Sequence, residues 1–363
     1  MLPYLFVILL SVVILHVTQK QKQQNLFLGI IGVLPLVILA GFRDYTIGTD
    51  TNGYPVAIFE YCRMSKSLGD ALFVVAGEVE PLYVVLEFLI SRFTNDAHWL
   101  LFWSHFIMFF NIVYASKKFE LSIDIAIFLY FCAFFNFSLN GARQSIAITF
   151  VPLILYYCIN AKYIKMGILF IFAFLFHSSV LLCLAILALF FYTIKFPNMS
   201  NKKLIKVLTV FVVVVMLINF NSLLNYVTGL GAVRTEYSDR YGSNDMYGSN
   251  LPISNIYLNI VNLAVFYSCR DKKDRLSCFM EYIAIISVIL CGSALISTFL
   301  VRITHYFVIV ILLYNVKLIC LRGNFHKNVS LFLYFLYWFI ITFINLEDTT
   351  PYKSKILLSF FNI

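Results

Sequence analysis

Long, uninterrupted apolar runs recur along this chain from one end to the other. A helix of about 20 apolar residues crosses the hydrocarbon core of a membrane, and within that core only helices and closed barrels satisfy their own backbone hydrogen bonds. The 363 residues are 61% hydrophobic and 12% charged, whereas a soluble domain carries about 25% charged residues. We therefore predict an all-α, polytopic transmembrane helical bundle that occupies residues 1–363 as a single integral membrane domain.

Hydropathy predicts about 12 to 13 helices, including short or re-entrant segments. The first run lacks a small-residue cleavage site, which favours a membrane helix over a leader peptide. The stretch 163–194 is too long for one untilted crossing, and we divide it at His177. Segment 81–93 is short and contains Glu87 and Arg92, so we predict a re-entrant or interfacial helix there. The predicted spans are 2–17, 25–41, 98–115, 122–139, 144–160, 163–176, 178–194, 204–220, 253–269, 279–299, 303–320 and 328–346.

Lysine and arginine cluster in short loops between the predicted helices, which marks those loops as cytoplasmic. The net charge of +9 therefore reflects the orientation of the chain in the membrane, and we expect no nucleic-acid partner. The rule places residues 42–80, a loop with a possible interfacial helix, and the long loop 221–252 on the outer face; a cytoplasmic 42–80 loop is the other solution. The basic clusters are Lys20 and Lys22, Lys117 and Lys118, Lys162 and Lys165, Lys195 to Lys206, Arg270 to Arg275, and Lys317 to Lys327.

Motifs of soluble enzymes are missing from the sequence. It contains no glycine-rich phosphate loop, no zinc-ligand spacing and no nucleophile elbow. The eight cysteines show no framework spacing, and several lie inside apolar runs, where cysteine behaves as a small hydrophobic residue. We expect no metal, no cofactor and no disulfide.

Arg143 is the sharpest candidate for a functional residue. It would lie at the N-terminal end of its helix, where the helix dipole is positive and a cation gains nothing from it. An anion held jointly by the guanidinium and the free amides of that helix end would resolve the conflict. The alternative is an interfacial arginine that extends to the lipid headgroups.

Other polar residues near predicted helix ends have both a functional and a structural interpretation. His177 is a candidate base for a hydroxyl substrate or a helix cap. Asp50 is a candidate sugar or cation contact or part of a tight turn, and Arg302 is a phosphate ligand or an interfacial anchor. Arg234 and Arg240 lie in a loop rich in Tyr, Ser, Asn and Gly, a composition that suits carbohydrate and also ordinary solvated loops.

An ordered set of short motifs resembles the EpsG/Wzy-type polysaccharide polymerases along nearly the whole chain. The motifs are Gly41-Phe42-Arg43-Asp44, Gly48-Thr49-Asp50-Thr51 with Tyr54, Glu80-Pro81-Leu82-Tyr83, Asn140-Gly141-Ala142-Arg143-Gln144-Ser145-Ile146-Ala147, Phe176-His177-Ser178-Ser179, Arg302 with Tyr306-Phe307, and Pro351-Tyr352. Each motif alone is weak, whereas the ordered set is fairly specific. Residues 221–251 show no pattern of that family.

The resemblance implies an O-antigen or exopolysaccharide polymerase of the bacterial inner membrane. Such an enzyme joins lipid-linked repeat units on the outer face, with a glycan on undecaprenyl diphosphate as donor and one lipid-linked repeat unit as acceptor. It needs neither nucleotide sugar nor metal, works among membrane lipids, and has a chain-length regulator as an expected partner. A flippase or exporter of lipid-linked oligosaccharide and an O-antigen ligase are the alternatives.

The same resemblance suggests a role for each candidate residue. Arg143 and Arg302 would bind the diphosphate, and His177 would act on the acceptor hydroxyl as base or orienter. Arg43 and Asp50 would make supporting contacts. Further candidate substrate-binding residues are Asp44, Gln144, Arg234 and Arg240.

Overall fold

The computed structural model describes residues 1–19, 25–75, 79–195, 251–270, 275–292, 298–345 and 348–360. All regular secondary structure within these ranges is helical, as the sequence predicts. The predicted span 204–220, Arg234, Arg240 and nearly all of loop 221–252 lie outside the described residues. The chain divides into two compact units, one formed by residues 1–181 and 323–363 and the other by residues 182–322.

The first unit contains eleven of the α-helices in the described ranges, and the second contains four. In the first unit these are α1 (Leu2–Gln19), α2 (Leu26–Gly41), α3 (Ala57–Met64), α4 (Leu68–Val74), α5 (Pro81–Ser91), α6 (His98–Lys118), α7 (Ile123–Asn140), α8 (Ala142–Ile159), α9 (Tyr163–Phe176), α14 (Asn324–Ile344) and α15 (Lys355–Phe360). In the second unit they are α10 (Cys183–Phe190), α11 (Leu251–Cys269), α12 (Arg275–Gly292) and α13 (Thr298–Cys320).

Six helices in the described part of the chain are long and apolar enough to cross a membrane: α1, α6, α7, α8, α14 and the Arg302–Cys320 part of α13. Helix α7 forms the centre of the first unit, since 89% of its apolar window is buried, compared with 22% for α1. Helix α1 exposes an apolar stripe at helical spacing, formed by Leu2, Phe6, Leu9, Val13 and Val17. A stripe of this kind is stable against lipid tails rather than water. The chain is a multi-pass membrane protein.

Basic residues collect at one end of the first unit. The hydroxyls of Tyr114 near the end of α6 and Tyr157 near the end of α8 are 3.3 Å apart. The ammonium of Lys118 lies 5.1 Å from the Tyr114 ring, and that of Lys165 lies 5.9 Å from the Tyr157 ring. We call this end the basic end.

The other end of the first unit gathers the start of α1, the loop after α2, the corner between α7 and α8, and the segment after α14. The Tyr4 hydroxyl donates to the Thr349 carbonyl at 2.7 Å. The Thr49 hydroxyl donates to the Asn140 amide oxygen at 3.1 Å. Long-range contacts thus bring together loops that are hundreds of residues apart, and we call this end the loop end.

Buried amides hold the helices together inside both units. In the first, the Asn136 amide on α7 donates to the hydroxyl of Thr342 on α14 at 3.0 Å. In the second, the Asn315 amide on α13 donates to the Asn262 carbonyl on α11 at 3.1 Å. Such bonds stabilise helix packing in lipid, where the apolar side chains gain little by association.

Several helix boundaries differ from the prediction. The break at His177 is confirmed, because α9 ends at Phe176 and His177 adopts an extended backbone. The predicted span 279–299 is displaced, since α12 ends at Gly292. The expected break at Arg302 is wrong, because α13 starts at Thr298 and continues through this arginine. A single charged residue between apolar stretches does not by itself end a helix. Helix α5 has 11 residues, which gives a length of about 16 Å. The hydrocarbon core of a membrane is about 30 Å thick, so α5 is too short to cross it.

Candidate functional site

The corner between α7 and α8 places Arg143 at the loop end of the first unit. Gly141 separates the two helices, and Arg143 is the second residue of α8. Its guanidinium forms an ion pair with the carboxylate of Glu80 and lies over the ring of Tyr54, 4.3 Å from the centroid. The anion expected for Arg143 from its position on the helix is therefore supplied, in this structure, by the chain itself.

Glu80 connects three helices through its two carboxylate oxygens. It precedes Pro81, the first residue of α5. One oxygen accepts from Arg143, while the other accepts from the backbone N–H of Ser178 at 3.2 Å and from its hydroxyl at 3.4 Å. The carboxylate thereby ties α5 to α8 and to the turn after α9.

Glu80 is ionised at neutral pH despite its burial. Burial alone disfavours the charged carboxylate, but the nearby His177 imidazole, the charge of Arg143 and the Ser178 N–H outweigh it and lower the pKa of Glu80 below its ordinary value. Only 7% of the Glu80 side chain and 16% of the Arg143 side chain are exposed. An ion pair shielded to this degree from water interacts more strongly than a surface pair.

His177 ends α9 and starts the turn that contacts Glu80. Its Nδ1 accepts from the backbone N–H of Ser179 at 3.2 Å and is 2.7 Å from the Ser179 hydroxyl. Because Nδ1 accepts a backbone N–H, a neutral imidazole holds its proton on Nε2. His177 is therefore arranged to donate a hydrogen bond from Nε2.

Arg43 lies beneath this surface and braces the loop after α2. Its side chain is 1% exposed. It donates to the Leu139 carbonyl at 2.7 Å, to the Ile47 carbonyl at 3.3 Å and to the Ala40 carbonyl. Burial lowers the pKa of Arg43 to about 10, so it keeps its charge at neutral pH. Arg43 supports the site from within the protein.

The other predicted residues occupy different surroundings. Asp44 forms a local turn, accepting from the Thr46 N–H at 3.0 Å and from its hydroxyl at 2.8 Å. Asp50 is exposed, and Gln144 is buried beside Arg143 in the first turn of α8. Arg302 is half-buried and belongs to the second unit.

The structure adds two residues to the predicted set, Glu80 and Tyr54. Both belong to motifs noted in the sequence, yet neither was proposed as a site residue. The available signal for Glu80 was a carboxylate placed directly before a proline and an apolar helix, a position where an unpaired charge is costly.

The cluster unites a fixed cation, an ionised carboxylate and an imidazole donor at one end of a membrane bundle. Such groups can bind a phosphate-bearing substrate and accept a proton from a hydroxyl. Within the described ranges, no three His, Cys, Asp or Glu side chains are close enough to share a metal ion.

Comparison with known proteins gives one clear result. The chain matches the EpsG family over residues 4–354, nearly its whole length. No curated protein and no solved structure gives a significant match.

Proposed function

The chain belongs to the EpsG family, and from that premise we propose that it is a polysaccharide polymerase of the bacterial inner membrane. Family membership supports a polymerase-type role and a membrane-embedded glycosyltransferase. We propose further that the substrates are oligosaccharide repeat units linked to undecaprenyl diphosphate, and that the product is O-antigen or exopolysaccharide. By the positive-inside rule, the basic end would face the cytoplasm and the loop end the outer side, where polymerisation would occur.

One observation carries the proposal: Arg143, Glu80 and the His177–Ser178 turn converge from three separate helices. They meet at the loop end, away from the lysines of the basic end. A lipid-linked diphosphate would lie at this depth, with its lipid in the membrane and its sugars in water. A charged cluster at such a place is a functional site by default.

The reaction requires one bond to form and one to break. The acceptor hydroxyl attacks the anomeric carbon of the donor, and the bond from that carbon to the diphosphate oxygen breaks, releasing the lipid diphosphate. Arg143 would stabilise the departing charge, because a guanidinium has five N–H donors and can hold Glu80 and a phosphate oxygen together. Direct attack would invert the anomeric configuration.

The proton of the acceptor hydroxyl also needs a destination. We assign it to the ionised carboxylate of Glu80, with His177 orienting the hydroxyl through its Nε2 proton. Arg43 supports the loop from below. Asp50 and Asp44, as contacts of the glycan, complete the set proposed within the first unit. Arg302, in the second unit, is proposed separately as a phosphate ligand.

The first experiment is a gel ladder of surface polysaccharide from a deletion strain. Complementation with wild type should restore the ladder, whereas Arg143→Ala, Glu80→Gln and His177→Ala should leave one repeat unit, with membrane protein levels measured alongside. The matched control is Arg63→Ala, which removes an arginine that pairs at 2.7 Å with Glu60 on the more exposed helix α3.

The deletion phenotype also separates the alternative functions. A polymerase mutant retains a single capped repeat unit, a ligase mutant attaches none, and a flippase mutant traps units inside the cell. Full-length polymer from Arg143→Ala would remove that residue from the mechanism. Co-purification with a chain-length regulator would test the proposed partner.

A further inference from the structure

A separate cleft of about 380 Å³ opens at the loop end of the first unit. One wall is the loop after α2, and the other is the segment that follows α14. The volume lies within the range of about 300–1,000 Å³ of small-molecule sites. Neither Arg143 nor Glu80 lines this cleft.

Backbone hydrogen bonds fix the two walls against each other. The Asp44 N–H donates to the Lys353 carbonyl at 2.8 Å, and the Gly48 N–H donates to the Asp348 carbonyl at 3.0 Å. Within the second wall, the Asn345 amide donates to the Thr350 carbonyl at 2.9 Å. The cleft therefore needs little ordering when a ligand binds, which favours affinity.

Gly48 brings the first wall close to the corner between α7 and α8. Its φ is +89°, and an added Cβ would lie 2.8 Å from the Asn140 amide oxygen and 3.0 Å from the Leu139 carbonyl. The adjacent Thr49 bonds to Asn140, three residues before Arg143. The first wall of the cleft thus contacts the same corner between α7 and α8 that carries Arg143.

The described part of the lining is mostly polar and includes one acidic and one basic side chain. Thr46 and Thr49 contribute hydroxyls, Asn52 and Asn345 contribute amides, and one carboxylate and one ammonium come from Asp348 and Lys353. Tyr45 adds an aromatic ring, held by stacking on His98 with centroids 4.2 Å apart. One acidic side chain beside one basic side chain gives an anion little advantage, whereas a ligand with many hydroxyls can bond to the Asn52 amide, the Asp348 carboxylate and the Lys353 ammonium.

We propose that this cleft binds a saccharide residue of the repeat unit, next to the diphosphate at Arg143. The inference rests on the proposed function and adds a sugar subsite to it. A link along the chain supports this arrangement, because Asn52 lines the cleft and Tyr54, two residues later, stacks on Arg143. A donor with its diphosphate at Arg143 would extend its glycan into the cleft.

The test measures binding of a soluble repeat-unit oligosaccharide, released by mild acid from the organism's own polysaccharide, to the full-length protein in nanodiscs. Asn52→Trp fills the cleft, and Asp348→Ala removes an exposed acceptor without adding bulk. Each should weaken binding about 10-fold or more, which corresponds to a loss of about 1.4 kcal/mol or more. Lys66→Trp, at an exposed position outside the cleft, is the matched control and should bind as wild type does.

A second probe, inorganic diphosphate, distinguishes the two subsites. Arg143→Ala should lose diphosphate binding and keep oligosaccharide binding, and the cleft variants should show the reverse. Failure of wild type to bind the oligosaccharide, unchanged binding in both cleft variants, or loss of diphosphate binding in Asp348→Ala would overturn the proposal. If cleft variants lose oligosaccharide binding but the gene deletion leaves the polysaccharide ladder intact, the polymerase function fails and the sugar site stands.

Discussion

Replacing Glu80 by glutamine removes one charge from the Glu80–Arg143 pair while preserving shape. Removing one partner of a buried ion pair costs about 3–5 kcal/mol, because the other charge remains buried and uncompensated. Glutamine keeps an oxygen for the Ser178 N–H, so we expect the lower end, about 3 kcal/mol. If the transition state depends on the same pair, the rate of polymerisation falls about 100-fold.

A double-mutant cycle separates the structural from the chemical contribution. Glu80→Gln combined with Arg143→Met removes both charges, so stability should return to within about 1 kcal/mol of wild type. Activity should stay lost, because the diphosphate has no cation. The assays are equilibrium unfolding in mixed micelles and the polysaccharide ladder.

The more exposed pair of Glu60 and Arg63 is the control for this cycle. Their side chains are 40% and 36% exposed, and a surface pair contributes only about 0–1 kcal/mol. Glu60→Gln should therefore leave stability and ladder unchanged. Equal effects of Glu60→Gln and Glu80→Gln, or a double mutant of Glu80 and Arg143 less stable than either single variant, would refute the reasoning.

Three further predictions concern pH and the loop after α2. The Glu80 pair should lose its stabilising contribution on acidification: because its folded-state pKa is lowered, the contribution is complete above the ordinary value of 4.5 and disappears as the pH falls through the folded-state value. The unfolding free energies of wild type and Glu80→Gln should therefore converge below pH 4.5, and a constant difference would contradict this. Arg43→Met should cost about 3 kcal/mol or more, since it removes the charged donor to the Leu139, Ile47 and Ala40 carbonyls and a hydrogen bond from a charged group contributes about 1.5–3 kcal/mol; normal unfolding with only activity lost would show a direct substrate contact instead. Gly48→Ala should lower the unfolding midpoint because of its φ of +89° and close contacts, whereas Gly53→Ala, with nothing within 4 Å of the added Cβ, should leave it unchanged.

Hydropathy was sufficient to predict the class of fold and most of the described spans. Apolar runs must be helical in lipid, so the predicted spans 25–41 and 163–176 follow from composition and length and agree with the helices Leu26–Gly41 and Tyr163–Phe176. Charged residues were a poorer guide to where the helices begin and end. Arg302 was treated as a break, yet α13 continues through it, since a long side chain can extend from a helix without ending it.

The short helices α3 and α4 could not be predicted from hydropathy. They lie in the loop 42–80, have mixed polarity and contain only eight and seven residues. Such short helices form through tertiary packing rather than local preference. The sequence therefore predicted a loop with a possible interfacial helix without locating these elements.

The sequence pointed to two residues of the candidate site, Arg143 and His177, but not to the carboxylate beside them. Arg143 and His177 were chosen because charge and imidazole are conspicuous near membrane helices. Their common partner, Glu80, lies 63 residues from Arg143 and 98 from Ser178. Helix packing decides such contacts, and hydropathy contains no information about which helices pack together.

The wall contributed by Asn345 and by residues 348–353 has a consequence for how the protein is made. This wall is held to the loop after α2 by the bonds from Asp44 and Gly48, and to α1 by the bond from Tyr4. The first wall of the cleft, in the loop after α2, is therefore synthesised early. The second wall is synthesised about 300 residues later. During synthesis, Arg143 and Glu80 are therefore present in the membrane before the cleft is complete. The cleft is completed only after α14 has been inserted.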